Sequence, residues 1–464
     1  MSDKGLPATM PAPDGLPRNK LIPAVIAVCL AVGMATLDTA IINTALPTVA
    51  GGIGATPASV IWVVNAYQLA MVATLLPFAS LGEVLGPRRV YLGGLLVFVV
   101  ASLFCGLAWS LPSLAIARVV QGLGAAALMS VNAVLLRHIY PFARLGRGMG
   151  INSLVVGLAF TLGPTLASAI LSFASWHWLF LINVPLGLLA MWMASRNLPL
   201  IEPASHPYDR TAAVLCSGLF GFTVLALSSG VQGGHGVLIG AELAVALICG
   251  VLLGRRQAGH PAPMLAVDLY RLPVFALSSL TAVCAFCTQG LAFVALPFLL
   301  QEQLGHSQVA TGYLITPWPA VVAVMALIAG RLSDRIAPGL LGGLGLLVLS
   351  LGMGALALLE PGASALDIGW RMAVCGAGFG FFQSPNLKAL MTSAPVSRSS
   401  GASGVVASSR LVGQTLGAAL VALCFHLFSS AGAQLCLWLG CGFALAGAVA
   451  SGARLYAVPG RSRA

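Results

Sequence analysis

Asp38 is the only charge in LDTAIINTALP, residues 37–47, an otherwise apolar stretch. Arg118 interrupts the apolar run beginning near residue 112 in the same way. A carboxyl group that is charged when hydrated and neutral when occluded is a natural proton carrier, or can exchange its proton for a cationic substrate. An arginine cannot shed its proton and must find acceptors or water. In a bilayer either charge costs at least ~2.5–3.5 kcal/mol. The plainer alternatives are a carboxylate bonded to a neighbouring helix and an arginine snorkelling towards the outer interface.

Composition decides which solvent surrounds these residues. The chain has 464 residues, 58% of them hydrophobic and 8% charged, with a mean hydropathy of +0.96. Soluble domains average ~25% charged residues. Apolar runs of about 20 residues recur throughout, each long enough to cross a ~30 Å hydrocarbon core as a helix. The sequence therefore predicts an all-α polytopic membrane protein. Spans are expected near 22–47, 60–82, 90–110, 112–136, 148–172, 178–195, 211–230, 237–254, 274–300, 311–332, 338–359, 370–392, 404–428 and 434–455, fourteen in all. Residues 1–21 have no hydrophobic core of a signal peptide and read as a disordered tail. Asp38 then falls about 16 residues into the first span and Arg118 about six into the fourth.

The net charge of +11 does not imply a nucleic-acid partner. With the N-terminus cytoplasmic, all 23 Lys and Arg except Arg118, Arg371 and Arg410 fall on or beside the cytoplasmic face. That asymmetry predicts both termini inside. The ten cysteines are scattered among apolar segments and read as small packing residues.

The second half repeats the first. ALP at 45–47 returns at 295–297, and ASLGEVLGPRR from Ala79 returns as GRLSDRIAPG from Gly330. GLGAAALMSVN from Gly122 returns as GAGFGFFQSPN from Gly376, and TLG ending at Gly163 returns at Gly417. The offsets drift only from 250 to 254. Six spans fill each copy, and the two at 211–230 and 237–254 lie between them. The expected architecture is six plus two plus six, with two pseudo-symmetric six-helix bundles as in one large transporter class. The boundaries are a tail at 1–21, a bundle at 22–200, a linker with the extra helix pair at 201–262, a bundle at 263–456, and a tail at 457–464.

These stretches together resemble the major facilitator superfamily, and within it the fourteen-helix drug:proton antiporters (the DHA2 group). LDTAIINTALP resembles that group's first-helix motif. LGEVLGPRRV resembles the superfamily's loop 2–3 motif, RVVQGLGAAA from Arg118 the fourth-helix motif, and LGPTLAS from Leu162 the antiporter motif of helix five. WHWLFLINVPLG from Trp176 resembles the approach to helix six. The resemblance covers residues 22–455. Glu83 replaces the loop motif's usual Asp, whereas the second copy keeps Gly330, Asp334 and Arg335. Ala167 and Ser168 replace the closing glycines of the antiporter motif.

The resemblance and the residue chemistry imply one set of roles. Asp38 and Arg118 couple protons. Gly157, Gly163 and Pro164 form a bend that closes one side of the cavity, since proline lacks an N–H; the plain alternative is an ordinary kinked helix. Glu83, Gly86, Arg88, Arg89, Gly330, Asp334 and Arg335 form a cytoplasmic gate latched by carboxylate–guanidinium pairs. Asn65, Tyr67, Gln68, Gln121, Asn132, Asn152, Gln289, Gln383, Asn386 and Gln414 are candidate cavity liners, each open to the alternative of interhelical hydrogen bonding. Glu242 reads as a water-exposed site at the interface.

Proton-coupled export of lipophilic small molecules, cationic or neutral because Asp38 is the lone mid-depth acid, is the expected function. A substrate-specific metabolite or lipid exporter of the same fold is the alternative, because fold does not decide substrate. A lipid enzyme would need clustered nucleophiles, and the seven His are dispersed. GLGAAA at 122–127 lacks the preceding strand of a dinucleotide site, and no Walker loop occurs. The protein is expected to use no cofactor beyond the proton motive force, to sit in a bacterial inner membrane, and to be a monomer.

Overall fold

Long Ala-, Leu-, Val- and Gly-rich runs can satisfy their backbone groups in lipid only as helices or closed barrels. These sequences lack strand alternation, and helices are what form. The computed structural model describes residues 15–457 apart from 56, 61, 205–206, 232–235, 259–262, 307, 361 and 429–430. Its principal helices are α1 (Arg18–Ile53), α2 (Trp62–Leu85), α3 (Pro87–Gly106), α4 (Leu111–Ile139), α5 (Leu145–Phe173), α6 (Asn183–Asn197), α7 (Arg210–Val231), α8 (Gly236–Gln257), α9 (Pro273–Phe298), α10 (Pro317–Leu332), α11 (Pro338–Ala357), α12 (Ala365–Ser393), α13 (Ser399–Leu427) and α14 (Gly432–Ala457). Among the described residues, twelve helical segments are long and apolar enough to cross a membrane. The 29-residue helices α12 and α13 are long enough but are not among those twelve. The protein is an integral, multi-pass membrane protein.

The termini differ from expectation. Residues 18–21, expected in the tail, already belong to α1, and the Leu16 N–H donates to Ile139 O at 3.0 Å. Residues 1–14 and 458–464 of the expected tails lie outside the described residues.

In the amino-terminal half α1 packs on α5 and α6, α4 on α2 and α3, and α3 on α6. In the carboxy-terminal half α9 packs on α13 and α14, α12 on α10 and α11, and α11 on α14. Each pair in one set has its counterpart in the other. The halves meet through α5 against α10, α2 against α13, α4 against α13, and α5 against α12. Where α5 crosses α10 the backbones nearly touch. A Cβ on Gly330 would stand 2.6 Å from Gly146 O and 2.8 Å from Gly150 Cα, so only glycine fits there.

Helices α7 and α8 pack chiefly on each other, and α7 also packs on α2. Only 18% and 17% of their apolar windows are buried, against 33–78% for the other ten segments. They sit at the periphery.

Candidate functional site

Asp38 and Arg118 meet in the middle of the amino-terminal half, both fully buried. Arg118 Nη1 lies 2.5 Å from Asp38 Oδ2. Asp38 Oδ1 accepts from Gln121 Nε2 at 2.9 Å and from Asn183 Nδ2 at 3.0 Å. Arg118 also donates from Nη1 to Gln121 Oε1 at 2.7 Å and from Nε to Val63 O at 2.9 Å. Gln121 Nε2 donates in turn to Ser102 Oγ at 2.9 Å. Four helices (α1, α3, α4 and α6), with a carbonyl from α2, thus surround one carboxylate. The guanidinium lies 4.2 Å from the centroid of the Tyr67 ring, a cation–π contact. Arg118 Nη2 has no hydrogen-bond partner.

This arrangement has a reason in sequence. Arg118 and Gln121 are one turn apart on α4 and share a face. Small residues on the same helix let α2 and α3 approach: Gly122 lies against Tyr67 and Ala70, and Gly124 against Gly94 and Phe98. An arginine at full burial needs acceptors and finds three oxygens, so it does not snorkel outwards. Ser102 and Asn183 were not singled out from sequence, although Asn183 lies within the Trp176 stretch. Asn183 and Asp38 are 145 residues apart, and no local pattern signals that contact.

The gate residues cluster at the end of the bundle that carries the ends of α1 and α14. Their partners differ from those the loop motif suggests. Glu83 does not pair with Arg88 or Arg89; both its oxygens accept from Arg398 Nη1 at 3.1 Å, and Oε1 also accepts from Gly401 N at 2.8 Å. Arg398 holds Asp268 as well, at 2.9 Å. Asp334 accepts from Gly146 N at 2.9 Å and Arg147 N at 3.2 Å, and pairs with Lys388 Nζ at 2.7 Å. Each half's carboxylate therefore caps the first turn of a helix in the other half, Glu83 on α13 and Asp334 on α5, where the backbone N–H groups and helix dipole favour negative charge. Arg137 adds bonds to Ala394 O at 3.2 Å and Ser399 Oγ at 3.0 Å. Arg88 donates to Ser195 O in its own half, and Arg89 and Arg335 are exposed. Gly86 caps α3 with φ +88°, a backbone shape that disfavours a side chain. Arg398 was legible in one way: it stands 254 residues after Arg144, each closing a short 3-10 turn before α13 or α5.

The remaining candidates divide by location. Gln289 and Gln414 pair at 3.1 Å between α9 and α13. Gln68 and Gln383 are half-buried. Asn65 points away from the centre, donating to Ser228 Oγ on α7 at 3.2 Å. Asn132 and Asn152 bond to each other at 3.0 Å. Asn386 accepts from Arg454 at 2.7 Å and donates to Ser278 O at 3.1 Å, making a structural knot in the second half. Gly157 packs on Ala323 of α10 across the seam, and Gly163 on Ala40 of α1. Helix α5 is continuous from Leu145 to Phe173 through Gly163 and Pro164. Glu242 is not water-exposed as expected; it is buried and accepts from Ser229 Oγ at 3.1 Å, because α7 covers it.

Residues 28–418 match the Major Facilitator Superfamily. The chain belongs to this family. It is 51% identical over 444 residues to the uncharacterized transporter YebQ of Escherichia coli, covering 95% of this chain and 97% of that one. It is 30% identical over 433 residues to the multidrug resistance protein Stp of Mycobacterium tuberculosis, covering 91% and 77%. These relatives are consistent with the drug-transporter group that the motifs resemble. Among solved structures, the human organic anion transporter MFSD10 (TETRAN) superposes with a TM-score of 0.67 at 14% identity, over 94% of this chain and all of that one; this likeness shows the fold alone. As a member of the superfamily the protein is a transporter of small molecules and not an enzyme.

Proposed function

We propose that this major facilitator protein is a proton-coupled exporter of lipophilic small molecules, working by alternating access. The observation that carries the reading is the fully buried Asp38–Arg118 pair, set among neutral donors from four helices. A proton arriving at Asp38 cancels the charge that holds Arg118. The guanidinium must then lean on Gln121 Oε1 and Val63 O, so proton binding changes the packing of α1 against α4. That couples a proton to a helix movement without any cofactor. The expectation of cationic substrates took Asp38 for a lone charge; with Arg118 beside it the pair carries no net charge, and that argument for cations falls away.

The reading includes fourteen spans arranged six plus two plus six, supported by the matching helix neighbours in the two halves. It also includes a monomer in a bacterial inner membrane, and an orientation with both termini cytoplasmic that is supported by basic residues concentrated at one end. In that orientation the contacts of Glu83 with Arg398 and of Asp334 with Gly146, Arg147 and Lys388 serve as a latch on the cytoplasmic side.

An efflux-deficient bacterium carrying the chain, challenged with a broad panel of toxic compounds, separates wide-range export from a single-substrate exporter. Compounds that score are then tested in proteoliposomes for substrate-induced proton movement, with Arg118→Lys as the probe. Lysine keeps the charge and loses the planar fork that serves three oxygens at once, so coupled movement is expected to fail in a protein that still inserts. Full coupling in the Lys variant sinks the role given to the pair.

A further inference from the structure

Arg410 lies near the middle of α13, in no motif. Val412, Leu416 and Leu423 mark the outward side of that helix at 44%, 39% and 50% exposure. Arg410 and Gln414, one turn apart, share the opposite side, where Gln414 bonds to Gln289. Arg410 is half-buried on the helix that packs against α2, within electrostatic range of Tyr67 of α2. Among the described residues it has neither a hydrogen bond nor an ion pair.

Tyr67 therefore interacts with two guanidiniums. Arg118 stacks on its ring with Nη2 unpartnered, and Arg410 approaches from the other half. The nearby carboxylate, Asp38, is already held by Arg118, Gln121 and Asn183. One positive charge is left without a counter-ion in a low-dielectric setting, where an uncompensated charge is costly. The scaffold does not require it, because the repeat offset of 254 puts Val156 at the equivalent place in the first half.

We propose that Arg410 binds the acidic group of the substrate, a lipophilic organic oxyanion, between α2 and α13 beside Tyr67. The guanidinium fork suits a carboxylate, sulfonate or phosphate group. Gln289 and Gln414 offer neutral hydrogen-bonding groups on the same side. The proton and the oxyanion then use different groups, so exchange does not depend on competition for one carboxylate. Tyr67, which stacks on Arg118 and lies within electrostatic range of Arg410, is the group through which one site senses the other. This assignment rests on the transport reading above and names the charge of its substrate.

The test uses the full chain in proteoliposomes under a pH gradient, with fluorescein and 1-anilinonaphthalene-8-sulfonate as anionic probes and rhodamine 6G and ethidium as cationic ones. Wild type, Arg410→Gln and Arg410→Lys are compared at equal incorporation and after thermal melts that check folding. The expected result is that wild type moves an anionic probe, that Gln slows it about ten- to hundredfold at subsaturating concentration, the size of a lost charged hydrogen bond, and that Lys retains more of the rate than Gln. Movement of cations but not anions overturns the assignment and leaves export standing. Anion movement undiminished in Arg410→Gln removes Arg410 from the site. No probe moving, and no proton moving with it, removes both readings.

Discussion

Where the amino-terminal half holds Asp38, Ser102, Arg118 and Gln121, the carboxy-terminal half holds Thr288, Met353, Met372 and Cys375, at offsets of 250, 251, 254 and 254. All eight are buried, and the helices around them have the same neighbours. In the second half Thr288 Oγ1 satisfies itself on Cys284 O and Gly440 O, both at 3.0 Å, and the two methionines and the cysteine join the apolar core. One scaffold thus carries a charged hub in one copy and inert packing in the other. The fold needs no charge at this position, which is why the proposed function places its chemistry in the first half.

The largest test of that contrast is Asp38→Asn. Asparagine keeps the shape, but its amide would face donors from Arg118, Gln121 or Asn183, and Arg118 loses its counter-ion. Removing one partner of a buried pair costs about 3–5 kcal/mol. Coupled efflux is expected to vanish, and the melting temperature in detergent to drop. Thr288→Val in the second half should cost about 1 kcal/mol and leave efflux intact. Converting the first hub to the second (Asp38→Thr, Ser102→Met, Arg118→Met, Gln121→Cys) should recover much of the stability lost in Asp38→Asn and none of the transport. A converted protein that still couples protons would show the hub to be structural.

Much of this was legible in the sequence because membrane insertion constrains composition so strongly. A charge in an apolar run is conspicuous, which made Asp38 and Arg118 visible singly. What joins Asp38 to Asn183 and Gln121 to Ser102 is the packing of distant helices, and hydrophobic runs carry no register. The latch was half visible. Glu83 and Asp334 stood out as loop acids, but their partners lie on distant segments, Arg398 in the opposite half and Lys388 on α12 of the same half. Asn65 read as a cavity liner because a polar residue in a span gives no sign of which neighbour it faces; the extra helix α7 claims it.

The latch compares the halves again, with a smaller expected effect. Glu83 is 7% exposed and holds Arg398 through both oxygens, whereas Asp334 is only half-buried. Glu83→Gln is expected to shift the balance away from the latched arrangement by about ten- to hundredfold, the size of one or two charged hydrogen bonds, and Asp334→Asn by less. Spin-label distances across the two ends of the bundle report the populations. Gly330→Ala should act in the same direction by sterics alone, through the 2.6 Å approach of its Cβ to Gly146 O. Equal shifts from Glu83→Gln and Asp334→Asn would mean that burial does not set the strength of the latch.

The smallest effect is expected at the periphery, where the same pair of side-chain types lies in water. Arg256 Nε and Asp209 Oδ2 are 2.8 Å apart, with side chains 47% and 21% exposed, against 0% for both Arg118 and Asp38. Asp209 also caps α7 by accepting from Ala212 N at 3.0 Å. The hydrogen bond from Arg256 is the main reason its carboxyl titrates below the usual range. A carboxyl with a lowered folded pKa contributes stability that is present above its unfolded value of about 3.9 and is lost as pH falls through the folded value. Solvent screening keeps that contribution small. Asp209→Asn retains a capping oxygen and removes only the charge. Its melting temperature should sit slightly below wild type at pH 7, and the gap should close as the pH is lowered below about 4. A gap that stays constant into acid would assign the effect to the cap and not to the ion pair, and a gap as large as that of Asp38→Asn would contradict the contrast between buried and exposed charge.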